Sequence, residues 1–200
     1  AGCLVLPMSV RLTKKSLRSA PTRSVNTPCW LPPWLVPSTR MPPISTAITG
    51  AVTTQGVVVG DFELPSESGQ LRGFYLQDTT GDGAPTTSDG IFVFTGGSNT
   101  VSLGQVVRVA GSAGEFSDQT LISSATVTQC STTGSVTPVD VVLPFSAADY
   151  PERYEGMLVR LPQTLYVTEH FQLGRFGQAV LPSRPARLQQ PTNVTTPGAA

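Results

Sequence analysis

Three aspartates, Asp78, Asp82 and Asp89, stand within one short stretch, "DTTGDGAPTTSDG", that also holds three glycines and a proline. Carboxylates grouped in this way suit Ca²⁺, which accepts irregular cages of carboxylate and carbonyl oxygens. The spacing is not that of an EF-hand, because the alternating D-x-D-x-D-G run and its distal Glu are missing. A second reading needs no ion: Asp78 caps a turn, and Gly81, Gly83 and Gly90 supply positive φ. Both readings stay open on the sequence.

A second constellation surrounds that loop. Tyr75, Phe92 and Phe94 lie on the apolar runs "GFYLQD" and "GIFVF" that flank it, with Arg72 and Arg108 within reach by topology. Aromatic rings beside guanidinium groups are what a single strand of nucleic acid stacks on. Tyr75 and Gln77 share one face of their strand, and Phe74 and Leu76 take the other. In the next strand Ile91 and Val93 oppose Phe92 and Phe94. A barrel interior needs aromatics too, so one of these faces must point inward.

A third cluster comprises Glu155, Arg160, Glu169, His170 and Arg175. A histidine beside a glutamate can move protons near neutral pH, but no nucleophile or third partner accompanies it. Arg160, Arg175, Arg184 and Arg187 make either a modest phosphate-facing patch or solvated charges paired with Glu152 and Glu155. Catalytic residues are therefore expected to be none. The single histidine and three scattered cysteines (Cys3, Cys29 and Cys130) offer neither a zinc spacing nor a disulfide framework.

The elements that must position these residues are strands. Gly 19 and Pro 18 in 200 residues, with few charges and few aromatics, favour short strands and turns. No run of eighteen apolar residues is present, so no membrane partner is expected. The neutral total charge conceals a split. Residues 1–60 hold six basic groups and no acid, whereas residues 61–200 hold seven basic and thirteen acidic groups, a net of −6.

Residues 1–45 show no sustained period, and prolines at 28, 32, 33, 37, 42 and 43 would interrupt any helix or central strand. They read as an irregular, disordered leader. From residue 46 to 132, five strands follow between about residues 51 and 130. The first and fourth are long, with Gly60 and Gly111 placed for the sharp bends a small barrel needs. Residues 133–200 read as a polar linker, to about 153, and a β-rich extension. Its strands are expected at Gly156–Leu161, Thr164–Thr168 and Phe176–Leu181. The fold class is all-β: a five-stranded, OB-like barrel with that extension and the irregular leader.

Six ordered blocks, "GVVVGDF", "GFYLQD", "GDGAPTTSDGIFVF", "GQVVRVAGSAGEF", "YEGMLVRLPQTLYVTE" and "LGRFGQAVL…QPTN", resemble the OB-fold-like region of bacterial secreted endonucleases. The likeness spans about residues 52–197; the first 45 residues lie outside it. In that family such a region precedes a catalytic domain of the endonuclease/exonuclease/phosphatase type. The resemblance implies a non-catalytic module of an extracellular nuclease, with DNA or RNA as a weak partner and the downstream nuclease domain as a covalent one. A divalent metal for phosphodiester hydrolysis is implied only in that further domain. The chain is accordingly read as part of something longer. An acidic barrel without a single lysine argues against tight strand binding, because released counterions supply most of such affinity.

Overall fold

The computed structural model describes residues 3–5, 49–63, 71–81, 85–117, 119–147, 150–171, 173–176 and 179–188. Eight strands occur among them: β1 Cys3–Val5, β2 Gly50–Phe62, β3 Gly73–Gln77, β4 Gly90–Phe94, β5 Gln105–Phe116, β6 Gln119–Thr133, β7 Val139–Asp140 and β8 Leu158–Arg160. Helix is confined to one 3₁₀ turn, Pro151–Tyr154, and a single α turn, Leu173–Phe176. The described chain is thus mostly strand.

β2 to β6 form one five-stranded sheet in the order β2-β3-β4-β6-β5, and β5 pairs again with β2, so the sheet closes on itself. Every ladder is antiparallel except β4 with β6, which run parallel. Alternation along the strands decides the two faces. Phe74 and Leu76 of β3 and Ile91 and Val93 of β4 point inward, joining Val58, Val101, Val107, Val109 and Ile122 in one core. Full burial of each large side chain stabilises the sheet by roughly 1.5–3 kcal/mol. Residues Tyr75, Gln77, Phe92 and Phe94 take the opposite face, as the period of two requires.

Both expected bend glycines mark irregular pairing. The β2–β3 register shifts between Val58 and Gly60, and the β5–β6 register shifts between Ala110 and Ser112, on either side of Gly111. A bulge of this kind bends a strand and raises its twist, which a closed sheet of five strands needs.

The second unit has its own small core. Val141, Met157 and Val159 are buried together, with Val139, Phe145, Tyr150, Tyr154 and Leu161 packed against them. The stretch read as a polar linker therefore contributes β7 and the 3₁₀ turn to this core. Of the three strands expected in the extension, only the first forms, as β8. Thr164–Thr168 is not a strand; in the third expected strand Phe176 ends the α turn, and residues 177–178 lie outside the described residues. The two runs meet at the Glu169–Val180 bridge and through bonds from Tyr166 N–H to Pro182 O and Thr168 N–H to Val180 O, each at 3.1 Å. Prolines 162 and 182 flank these runs and remove ladder donors, which limits pairing to isolated contacts.

Two further findings correct the sequence reading. The leader is not irregular throughout: the backbone of Cys3–Val5 pairs antiparallel with β8, Leu4 opposite Val159. The rest of residues 1–45 lies outside the described residues. Cys130, buried on β6, is disulfide-bonded. The chain's other cysteines, Cys3 and Cys29, are both in the leader. Spacing along the chain could not reveal this bond, because bridging depends on proximity in three dimensions.

Candidate nucleic-acid interface

The aspartate loop is held as a turn at its described ends. Asp78 Oδ1 accepts from both Thr80 N–H and Thr80 Oγ1, each at 2.9 Å, and Asp78 N–H donates to Asp89 O at 3.0 Å. Gly81 adopts φ 62°, and a side chain there would meet the Asp89 carboxylate at 2.6 Å. Gly90 lies in β4 and does not have the positive φ expected of it. Asp82 and Gly83 lie outside the described residues. Among the described residues no three His, Cys, Asp or Glu side chains are grouped to hold a metal ion.

The aromatic residues divide into two kinds. Tyr75 and Phe92, expected as stacking platforms, are 0% and 3% exposed, which rules them out as such in this state. Their rings meet at a centroid distance of 5.0 Å, and Gln119 Nε2 donates to Tyr75 Oη at 2.9 Å. Burial pushes the Tyr75 phenol up to about 12, against the lowering effect of the Gln119 bond and with a smaller push from Glu155. The second unit lies over Tyr75, while the Phe92 ring leans over Gly73, its Cζ 2.7 Å from where a Cβ there would stand. Leu158 N–H donates to Gln77 Oε1 at 2.8 Å, and Ser88 Oγ donates to Glu155 O at 2.5 Å. Gly156 stands close enough that a Cβ there would be 3.3 Å from the Tyr75 ring.

Phe94, in contrast, is 37% exposed, and the Arg72 guanidinium carbon sits 5.7 Å from its ring centroid. Arg72 is held by both ends. Its Nε and Nη2 donate to Gly96 O at 3.2 and 2.7 Å, while its own carbonyl accepts from Thr95 and Gly96 N–H, each at 3.1 Å. Its φ of 60° is unusual for a residue with a side chain. The two donations to Gly96 O hold the guanidinium beside Phe94 rather than leaving it free to swing.

Phe62 is the residue the sequence reading missed. It is 40% exposed and lies opposite Gly73, which in turn lies opposite Phe94. Residues directly opposite one another share a face, so Phe62 and Phe94 flank the bare Gly73 across two strand spacings, roughly 10 Å. The glycine between two aromatics on neighbouring strand ends was the available signal.

Arg108 does not join this group. It lies on β5, opposite Gln55 of β2, and its Nη2 donates to Gln55 Oε1 at 3.0 Å. β5 pairs with β2 and β6, not with β3 or β4. The charges of the extension are dispersed as well. Arg160 makes a two-pronged contact with Asp140, at 2.5 and 2.6 Å, and that bond holds the Asp140 carboxyl below its ordinary range. Arg187 pairs with Glu169 at 2.9 Å; His170 and Arg184 are exposed, and the Arg175 side chain is outside the described residues.

Glu155 departs furthest from expectation. Burial first, then the charge of Glu152, raises its carboxyl to about 8; a bond from the Thr120 backbone lowers it and Glu115 raises it further. It lies on the second unit's side of the seam, facing Tyr75.

Compared with known proteins, the chain matches no family model, no curated protein and no solved structure.

Proposed function

We propose that this chain is a non-catalytic OB-like barrel module that engages nucleic acid weakly on behalf of a secreted bacterial endonuclease, whose separate domain hydrolyses phosphodiester bonds. The observation that carries the reading is the pair of exposed rings Phe62 and Phe94, set on either side of the buried Gly73, with Arg72 fixed beside Phe94. The strand order supports the fold assignment. A simple meander would run in chain order; exchanging the last two strands, with a parallel β4–β6 contact, is a Greek-key step of the kind found in OB barrels.

Stacking is the chemistry on offer. A base laid on Phe94 meets an apolar face and a neighbouring cation, a contact worth about 1–3 kcal/mol per base. With residues 61–200 at a net of −6, long-range attraction adds little, so binding is weak and depends on the rings. The disulfide at Cys130 supports secretion, since such bonds persist in oxidising compartments. No helix among the described residues is long and apolar enough to cross a membrane. The divalent ion of the parent enzyme finds no ligand set among the described residues, and no chemical step is assigned to it here.

A second reading, a structural spacer with protein contacts alone, is favoured by the burial of Tyr75 and Phe92 and by exposed Val167, Phe171 and Leu173. Titrating the chain with fluorescein-labelled dT12 and its RNA counterpart at about 50 mM salt separates the two. Binding that weakens about tenfold in Phe94→Ala supports the module; no binding at that salt leaves the spacer.

A further inference from the structure

The outward aromatic row is longer than its exposed part. Tyr75 and Phe92 share the face of Phe62, Gly73 and Phe94 by register. Tyr75 stands 5.9 Å from Phe62, edge to face, and 5.0 Å from Phe92. The rings form one continuous patch, and its Tyr75 part lies against Gly156 of the segment 155–158.

The bonds that seat this segment are few. They include Ser88 Oγ to Glu155 O, Leu158 N–H to Gln77 Oε1, the Thr120 backbone to the Glu155 carboxylate, and a long contact of 3.4 Å from Asp89 N–H to Met157 Sδ. Met157 and Val159 belong to the second core, with Val141, rather than to the core of the closed sheet. At the centre is Gly156, at φ +70°, where an added Cβ would come within 3.2 Å of Ile91 N. Glu155 Oε1 is buried without a hydrogen-bond partner. Around that carboxyl lie Glu152 on its own turn, Glu115 of β5, Tyr75 of β3 and the Thr120 backbone of β6. Three acids gathered at one seam disfavour close seating whenever they are charged.

We infer that the segment 155–158 is a displaceable cover, and that single-stranded nucleic acid competes with it for Tyr75, lengthening the stack begun on Phe62 and Phe94. This rests on the proposed function. Lifting the cover need not disturb the closed sheet, whose interior is filled by the opposite face of the same strands, Phe74, Leu76, Ile91 and Val93. If the cover is open one part in ten, apparent affinity for the long stack is about tenfold below its intrinsic value.

The test pairs two readouts on the whole chain. Amide hydrogen exchange at Leu158 reports the cover, with Phe74 and Val93 in the β3–β4 ladder as the reference for the sheet; dT12 is the ligand. Gly156→Ala, strained by its φ and tight against Ile91 N, is expected to speed exchange at Leu158 and leave the ladder unchanged. It should also tighten dT12 binding about tenfold. Gln77→Ala, which removes the acceptor for Leu158, serves as a second variant if the first does not fold. Excess dT12 should speed Leu158 exchange in the unaltered chain. The inference is overturned if Leu158 exchanges only together with the ladder, or if both variants open the cover without tighter binding. The proposed function fails separately, if dT12 binds the unaltered chain and Phe94→Ala equally or binds neither.

Discussion

Glu63 and Thr100 are clamped together across 37 residues of sequence. The Glu63 carboxylate accepts from Thr100 N–H at 2.5 Å, from Thr100 Oγ1 at 2.6 Å and from Val101 N–H at 3.1 Å, in a site where Glu63 is 0% exposed. The contact ties the end of β2 to the connection between β4 and β5. It thereby holds the end of the sheet from which Phe62 and Phe94 project.

Removing that carboxylate leaves two backbone donors unpaired, the half-buried Thr100 N–H and the buried Val101 N–H. Glu63→Ala is expected to cost about 2–4 kcal/mol, and Glu63→Gln, which keeps an acceptor, about half as much. Urea unfolding of the three proteins measures this. Equal midpoints would show that the clamp contributes nothing.

Gly111 permits a close approach of β5 to β6. An added Cβ would lie 2.5 Å from Ile122 Cγ2 and 2.7 Å from Ser123 O, and one of those neighbours is backbone. Gly111→Ala is therefore expected to destabilise the chain by about 1–3 kcal/mol. Thermal unfolding checks it, with Gly114→Ala, where no atom lies within 4 Å, as the matched substitution that should cost less.

Acid in the seam predicts a pH dependence of unusual sign. Glu155 rests near 8 in the folded chain against 4.5 ordinarily. Between those values the folded state holds a proton that the unfolded state has released. The stability from this group is complete below about 4.5 and is lost as pH rises toward 8, at up to roughly 1.4 kcal/mol per pH unit. Glu155→Gln should flatten that slope. Urea midpoints from pH 5 to 9 decide it; identical slopes in the two proteins would contradict the assignment.

The bond at Cys130 is expected to add about 2–4 kcal/mol. Dithiothreitol or Cys130→Ser should lower the unfolding midpoint accordingly. Thiol titration of the unreduced, denatured chain should find a single free group among its three cysteines. Finding all of them free would contradict the bond.

Much of the closed sheet was legible because alternation is a local property. Phe74 and Leu76 against Tyr75, and Ile91 and Val93 against Phe92, assign each side chain to a face before any partner is known. Gly60 and Gly111 likewise announce bends within their own strands. What alternation cannot say is what lies over a face. Tyr75 lies on the outward face, yet Gly156, far along the chain, sits against its ring. Glu63 gave no local sign of burial, since its donors come from Thr100 and Val101. Phe62 was overlooked because its companionship with Phe94 exists only through the register with Gly73. The weak strands of the extension failed for another reason: prolines at their edges left one bridge and a few backbone bonds where apolar runs suggested ladders.

The most direct test of the central claim follows the ring protons of Phe62 and Phe94 by NMR as dT12 is added to the folded chain. Stacking predicts that both rings shift together and saturate at one affinity, while the interior methyls of Ile91 and Val93 stay in place. Shifts confined to Arg108, Arg184 and Arg187, or no shift at all, would contradict it.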